Sequence, residues 1–188
     1  MYTEGGKNMT QLQFERLIQL HGDSIYGFCC HLTGKASEAE DLYHDSVMKA
    51  FSKLKKMSCG DEDEKAYLSA RNYIIGIAVR LAKNNSRRLS NRSNVAQDEN
   101  ERQLSAADSD ENIESESERR ELNAQIRQAV SALPEKLRAV TYMFYFADMS
   151  ISDIAAALHI PSGTVKSRLS RSRSIIKKEL EEKGYEKY

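Results

Sequence analysis

Between Val95 and Glu118 the chain reads VAQDENERQLSAADSDENIESESE, and only Val95, Leu104 and Ile113 there are large and apolar. A stretch so polar cannot bury enough surface to offset the entropy of ordering it, so it divides whatever fold the chain adopts. The expected layout is two small units, residues 10–92 and 120–183, joined by a flexible acidic linker at 93–119. The linker reads most simply as a solvated tether, and its charge leaves open a partner-binding segment or a shield for a basic surface.

Both units are expected to be helical. Only two of the 188 residues are proline and nine are glycine, so little in the chain interrupts a helix. The fold class is therefore all-α, two small helical domains. No apolar run approaches the roughly 20 residues of a membrane span, and MYTEGGKNMT at the N-terminus lacks the layout of a signal peptide. A cytoplasmic protein with no direct membrane insertion is expected. Cys29, Cys30 and Cys59 are odd in number and two are adjacent, a poor disulfide framework. CCH at Cys29 to His31 has no second ligand pair, so idle thiols are expected and no metal. Nor does any phosphate loop or activated nucleophile occur, which argues against an enzyme and against a cofactor or small-molecule substrate.

The 28 basic and 28 acidic residues cancel overall but not locally. Arg80, Lys83, Arg87, Arg88 and Arg92 stand in a stretch with no acid, and Pro161 to Lys178 is again purely basic. Charges act over about 10 Å at physiological salt, so these segments keep their own fields.

In the C-terminal unit Leu122, Ile126, Ala129, Val130 and Leu133 recur at helical spacing before Pro134 interrupts the chain. EKLRAVTYMFYFADM follows as a second apolar helix whose Tyr142, Phe144, Tyr145 and Phe146 read as core. Ser150 three residues before Asp153 caps a short helix, ISDIAAALH, and IPSG turns the chain, with Ser162 expected as the next N-cap. On the last helix Val165, Leu169, Ile176 and Leu180 make one stripe, while Thr164, Lys166, Ser167 and Arg171 face away and Arg168 and Arg173 flank it. Short helix, tight turn and longer basic helix is the layout of a helix-turn-helix. Arginine can hydrogen-bond guanine while lysine, serine and threonine hold phosphates, so Thr164, Lys166, Ser167, Arg168 and Arg171 are the candidate duplex contacts. The alternative is a solvated basic face.

In the N-terminal unit Phe14, Leu17, Ile18, Ile25, Phe28, Cys29 and Leu32 predict one helix. Ala39, Leu42, Val47, Ala50, Phe51 and Leu54 predict a second, with Glu38, Glu40, Asp41, His44 and Asp45 on its other side. RNYIIGIAVRLAKNNSRR predicts a third with a basic end. His44 is expected to be solvated or satisfied rather than a pH sensor.

Taken together, AEDLYHDSVMKAF, YIIGIAVRLAKNNSRR and LPEKLRAVTYMFYFADMSISDIAAALHIPSGTVKSRLSRSR resemble bacterial RNA polymerase sigma factors of the extracytoplasmic-function type. The resemblance implies a non-catalytic promoter-recognition subunit that partners core RNA polymerase and promoter DNA and is held by an anti-sigma factor, itself often at the membrane. Glu40, Asp41, Leu42, Asp45 and Val47 would contact core polymerase. Tyr73, Arg80, Lys83, Asn84, Arg87 and Arg88 would engage the minus-ten element, where a stacking surface and cations suit a single strand. The C-terminal helix would read the minus-thirty-five element. The sequence departs from the family pattern at His44, Val47, Tyr73 and Arg80, where Gln, Phe, Trp and Asn are usual. Arginine in place of asparagine favours a phosphate or guanine over other base edges. The segment from Lys55 to Asn72 is longer than the family leads one to expect. A stand-alone helix-turn-helix regulator, with the first unit as its dimerisation or effector module, remains the other reading.

Overall fold

The computed structural model describes residues 8–53, 64–90 and 113–185, which hold seven helices. The first unit comprises α1 (Gln11–Thr33), α2 (Ala36–Phe51) and α3 (Glu64–Ser90), each packed on the other two. Thr10 opens α1 with a reciprocal capping box, its hydroxyl accepting from the Gln13 amide at 3.3 Å while Gln13 Oε1 accepts the Thr10 amide at 2.9 Å. Gly34, at φ 75°, ends the helix in the left-handed conformation that glycine adopts without strain. Phe14, Leu17, Ile25, Phe28 and Cys29 are buried along α1 as their spacing predicts.

The third helix begins at Glu64, seven residues before the apolar run that announced it. Its first turns bury Tyr67 and Ala70, so much of the long segment after Lys55 is helix. Residues 54–63 lie outside the described set, and Leu54 with them. On α2, Ala39, Leu42 and Ala50 are buried as expected, but Phe51 remains 39% exposed with its ring edge-on to Phe14 at 5.5 Å. The buried place at mid-helix goes instead to Ser46, whose hydroxyl donates to the Leu42 carbonyl at 2.6 Å. That internal bond removes the cost of burying a polar atom.

The second unit comprises α4 (Ile113–Ala132), α5 (Glu135–Tyr145), α6 (Ile151–Leu158) and α7 (Ser162–Glu182). The fourth helix begins at Ile113, within the segment expected as linker. The rest of that segment, 93–112, lies outside the described residues. Arg138 donates to the Ser131 carbonyl at 2.7 Å across the Pro134 break, holding α5 to the end of α4. Lys183 ties the far end of α7 to Gln125 and Gln128 of α4 at 2.8 and 3.0 Å.

The aromatic run divides. Tyr142 is buried and Phe144 half-buried, but Tyr145 and Phe146 are 54% and 45% exposed because α5 ends at Tyr145 and its last turn leaves the core. Ser150 caps α6 through the Asp153 amide at 3.1 Å, as expected. The N-cap of α7, however, is Pro161, and Ser162 is the first helical residue. Proline's fixed φ suits a helix start, and the turn itself is made by His159, left-handed at φ 54°. On α7 Val165, Leu169 and Leu180 are buried, joined by Ser172, whose hydroxyl donates to the Arg168 carbonyl at 2.9 Å.

The two units meet along one seam. Residues of α1 and α3 and residues of α5, α6 and α7 share a single hydrophobic cluster that runs from Leu17 and Ile74 to Val140, Ile154 and Val165. Two arginines of α3 cross the seam, Arg71 donating to the Ala147 carbonyl and Arg80 to the Ala157 carbonyl, the latter at 2.6 Å. The His31 ring of α1 lies against Tyr142 and Phe146 of α5, with centroids 5.4 and 4.3 Å away. Burial lowers the affinity of the Arg71 guanidinium for its proton, opposed by the nearby carboxylates of Asp148 and Asp153. Among the described residues no helix is long and apolar enough to cross a membrane.

Candidate nucleic-acid interface

The helix-turn-helix is built from α6, the turn at His159 to Pro161, and α7. His159 and Ile160 amides close the end of α6 on the carbonyls of Ala156 and Ala155, at 3.3 and 3.0 Å, so the turn is short and fixed. Burial of Val165 and Leu169 then sets which side of α7 faces out. Lys166, Ser167 and Arg171 are exposed, and Thr164 and Arg168 are half-buried beside them. From Lys166 to Arg171 is about 7.5 Å along the axis, so these groups fit within one stretch of a major groove. Arg173, read from the sequence as nearer the packed side, is exposed, its Nε donating to the Leu169 carbonyl at 3.4 Å. Lys177 and Lys178 pair one turn on with Glu181 and Glu182, both at 3.7 Å, which leaves the bare positive charge on the first turns.

The second candidate surface lies on α3. Tyr73, Arg80 and Lys83 are half-buried and Asn84 is exposed. Arg87 and Arg88 belong to the last turn of the helix, with side chains outside the described set. Tyr73 packs on the cluster at the seam, and Arg80 spends a donor on the Ala157 carbonyl. The minus-ten candidates are therefore gathered on one helix, and one of them, Arg80, is bonded to the second unit.

The third surface is the outer side of α2. Glu40, Asp41 and Asp45 are exposed and Val47 is half-buried. Leu42 is not on this surface: it is 3% exposed, enclosed with Cys29, Cys30, Ala39 and Ala78, so its side chain supports the helix from beneath. Met48, which sequence reasoning passed over, is 66% exposed beside the acids. Its place three residues after Asp45 and seven after Asp41 could have signalled it, since those spacings share a helix face. His44 is exposed, its ring edge-on to Tyr43 at 5.7 Å.

Two family models match the chain. The family model described as Sigma-70 region 2 matches residues 17–92, and that described as Sigma-70, region 4 matches residues 123–176. The chain is 30% identical over 176 residues to the RNA polymerase sigma-H factor of Pseudomonas aeruginosa, covering 89% of this chain and 86% of that one. It is 27% identical over 179 residues to the ECF RNA polymerase sigma factor SigW of Bacillus subtilis, covering 93% and 92%. Its fold is similar to that of the sigma factor RpoE in complex with the anti-sigma factor NepR from Bartonella quintana, with a TM-score of 0.67 at 22% identity over 89% of this chain and 96% of that one. It is also similar to CnrH in complex with the cytosolic domain of CnrY, with a TM-score of 0.59 at 17% identity over 92% and 90%. With both regions matched, in order, around an acidic connecting segment, the chain belongs to the sigma-70 family of RNA polymerase sigma factors, in its extracytoplasmic-function group.

Proposed function

We propose that this chain binds core RNA polymerase through the outer side of α2 and directs promoter-specific initiation, with α3 at the minus-ten element and α7 at the minus-thirty-five element. The observation that carries this reading is the side of α7 left free by packing. Val165 and Leu169 are buried, and what remains outward over the first turns is Lys166, Ser167 and Arg171, with no acid between Pro161 and Lys178. A helix that displays only cations and hydroxyls has phosphate and base edges as its natural partner. On α2 the exposed Glu40, Asp41 and Asp45 beside an exposed Met48 combine charge for steering with an apolar anchor. Control by an anti-sigma factor completes the reading and rests on family membership.

Two charge reversals separate the surfaces. Arg171→Glu should cut holoenzyme binding to minus-thirty-five duplex at least about tenfold, since a lost base contact costs about 1–3 kcal/mol and reversal adds repulsion. Its affinity for core polymerase should be unchanged. Asp45→Arg should do the opposite, weakening core binding while the isolated chain's affinity for duplex DNA stays the same. Equal loss in both assays for either variant would contradict the division.

A further inference from the structure

The outward side of α7 carries, near its middle, a hydroxyl that the rest of the chain does not engage. At about 100° per residue, Arg173 and Arg171 mark the edges of an exposed arc of about 160°. Lys166, Ser170, Ser174 and Ser167 lie between them in that order, all exposed. Three serines of the helix turn their hydroxyl protons inward: Ser167 to the Thr164 carbonyl at 3.0 Å, Ser172 to that of Arg168 at 2.9 Å and Ser174 to that of Ser170 at 3.2 Å. Each is thereby left as an acceptor only. The Ser170 hydroxyl has no hydrogen-bond partner among the described residues, so of these four serines it is the one that keeps a donor for another molecule.

Arg173 stands beside it with a different capacity. The Leu169 carbonyl holds its Nε at 3.4 Å, which draws the guanidinium back toward the start of the helix and leaves the Nη groups for another acceptor. Lys166 lies two turns earlier at nearly the same angle, about 10.5 Å away along the axis. No acid between Pro161 and Lys178 draws either cation aside.

We propose that Ser170 is a specificity-determining residue of the minus-thirty-five contact, its hydroxyl donating to a base edge in the major groove while Lys166 and Arg173 hold phosphates of the strand along that side. This rests on the reading of α7 as the minus-thirty-five helix, where Arg171 on the opposite edge keeps the contact argued above. A serine is short and reaches a base only where the helix lies close to the groove floor, and the short side chains of Ser167 and Ser174 permit that approach. Phosphate contacts set register without reading sequence, whereas a base contact reads it, so the roles of Arg173 and Ser170 separate by experiment.

The test uses holoenzyme reconstituted from core polymerase and the full chain, with a promoter fragment on which that holoenzyme gives run-off transcription. Each base pair of its minus-thirty-five region is changed in turn to the other three, and competition binding yields a preference profile. Ser170→Ala should flatten the profile about threefold or more at one base pair and leave the others as they are. Ser170→Asn should move the preference at that same pair to adenine, which asparagine contacts through N6 and N7. Arg173→Ala should weaken binding to every fragment alike and reduce the slope of log affinity against log salt by about 1, with the profile unchanged. Both positions are exposed within a helix, where alanine keeps the fold. A Ser170→Ala profile identical to the parent's, a Ser170→Asn change at a different base pair, or a parental salt slope in Arg173→Ala overturns the proposal. If instead no fragment is transcribed, or Arg171→Glu binds the fragment as the parent does, the reading of α7 itself fails and the proposal with it.

Discussion

Leu42→Ala distinguishes a side chain that supports a docking helix from one that contacts the partner. Leu42 is enclosed by Cys29 and Cys30 of α1, Ala39 of its own helix and Ala78 of α3, with Leu32, Tyr43 and Leu81 around the rim. The nearest walls are short side chains on three separate helices, and none of them can swing in to refill the space. Truncating a buried leucine in such a site costs about 2–5 kcal/mol, from lost transfer energy plus the cavity left behind. With a central cost of about 3 kcal/mol, and about 2–4 °C per kcal/mol for a chain of this size, the melting temperature should fall by about 6–12 °C. Thermal and urea unfolding followed by circular dichroism measures the loss, and core affinity measured below the transition should change little. A variant that melts with the parent but binds core polymerase weakly would show that Leu42 is a contact and that its placement beneath α2 is wrong.

Other perturbations test the seam and the buried thiols. Burial, reinforced by Arg127, holds His31 below its ordinary value of 6.5, so its neutral form is the one compatible with the folded seam. The folded chain therefore binds fewer protons than the unfolded one, and the stability that depends on neutral His31 is present above about pH 6.5 and lost as pH falls through the depressed folded value. His21 shifts the same way, by burial and then Arg71, against Glu64. The urea midpoint should drop between about pH 7.5 and about pH 5.5, and His31→Gln should flatten the drop, with His21 supplying the remainder. A pH dependence identical in both proteins would remove His31 from the explanation. Burial, followed by the adjacent Cys30, pushes the Cys29 thiol up to about 12, so iodoacetamide at mildly alkaline pH should modify it only after denaturation. Mass spectrometry showing native modification at Cys29 would contradict its burial.

Helical periodicity made most of the architecture readable before any coordinates. The buried positions of α1 and the split between the two sides of α7 follow from apolar residues recurring at 3.6-residue spacing, a signal that needs no neighbour to interpret it. The start of α3 was not readable in this way, because EKAYLSA opens with charge, follows a run of acids that reads as loop, and has its apolar residues justified only by what they pack against. Ser46 and Ser172 were missed in the core because their polarity hides the hydrogen bond each makes to the carbonyl four residues earlier. Leu42 was a conflict visible in the sequence itself. Three residues after Ala39, it belongs to the apolar stripe, yet family resemblance also named it a polymerase contact, and one side chain cannot serve both faces.

The candidate sites divide along the same line. Exposure of Lys166, Ser167 and Arg171 is local, set by which side of one helix is apolar, and the sequence carries it. The engagement of Arg80 is not local, since it depends on a residue 77 positions away in α6 that no periodicity connects to α3. Arg80 could be recognised as unusual from its place in the motif, but its bond to Ala157 required the fold.

Run-off transcription reconstituted from purified core RNA polymerase, this chain and fragments of genomic DNA tests the central claim most directly. The account predicts discrete transcripts that require both core and this chain, and that disappear with Arg171→Glu. A chain that binds duplex DNA tightly alone, fails to associate with core and yields no transcript from any fragment would contradict it.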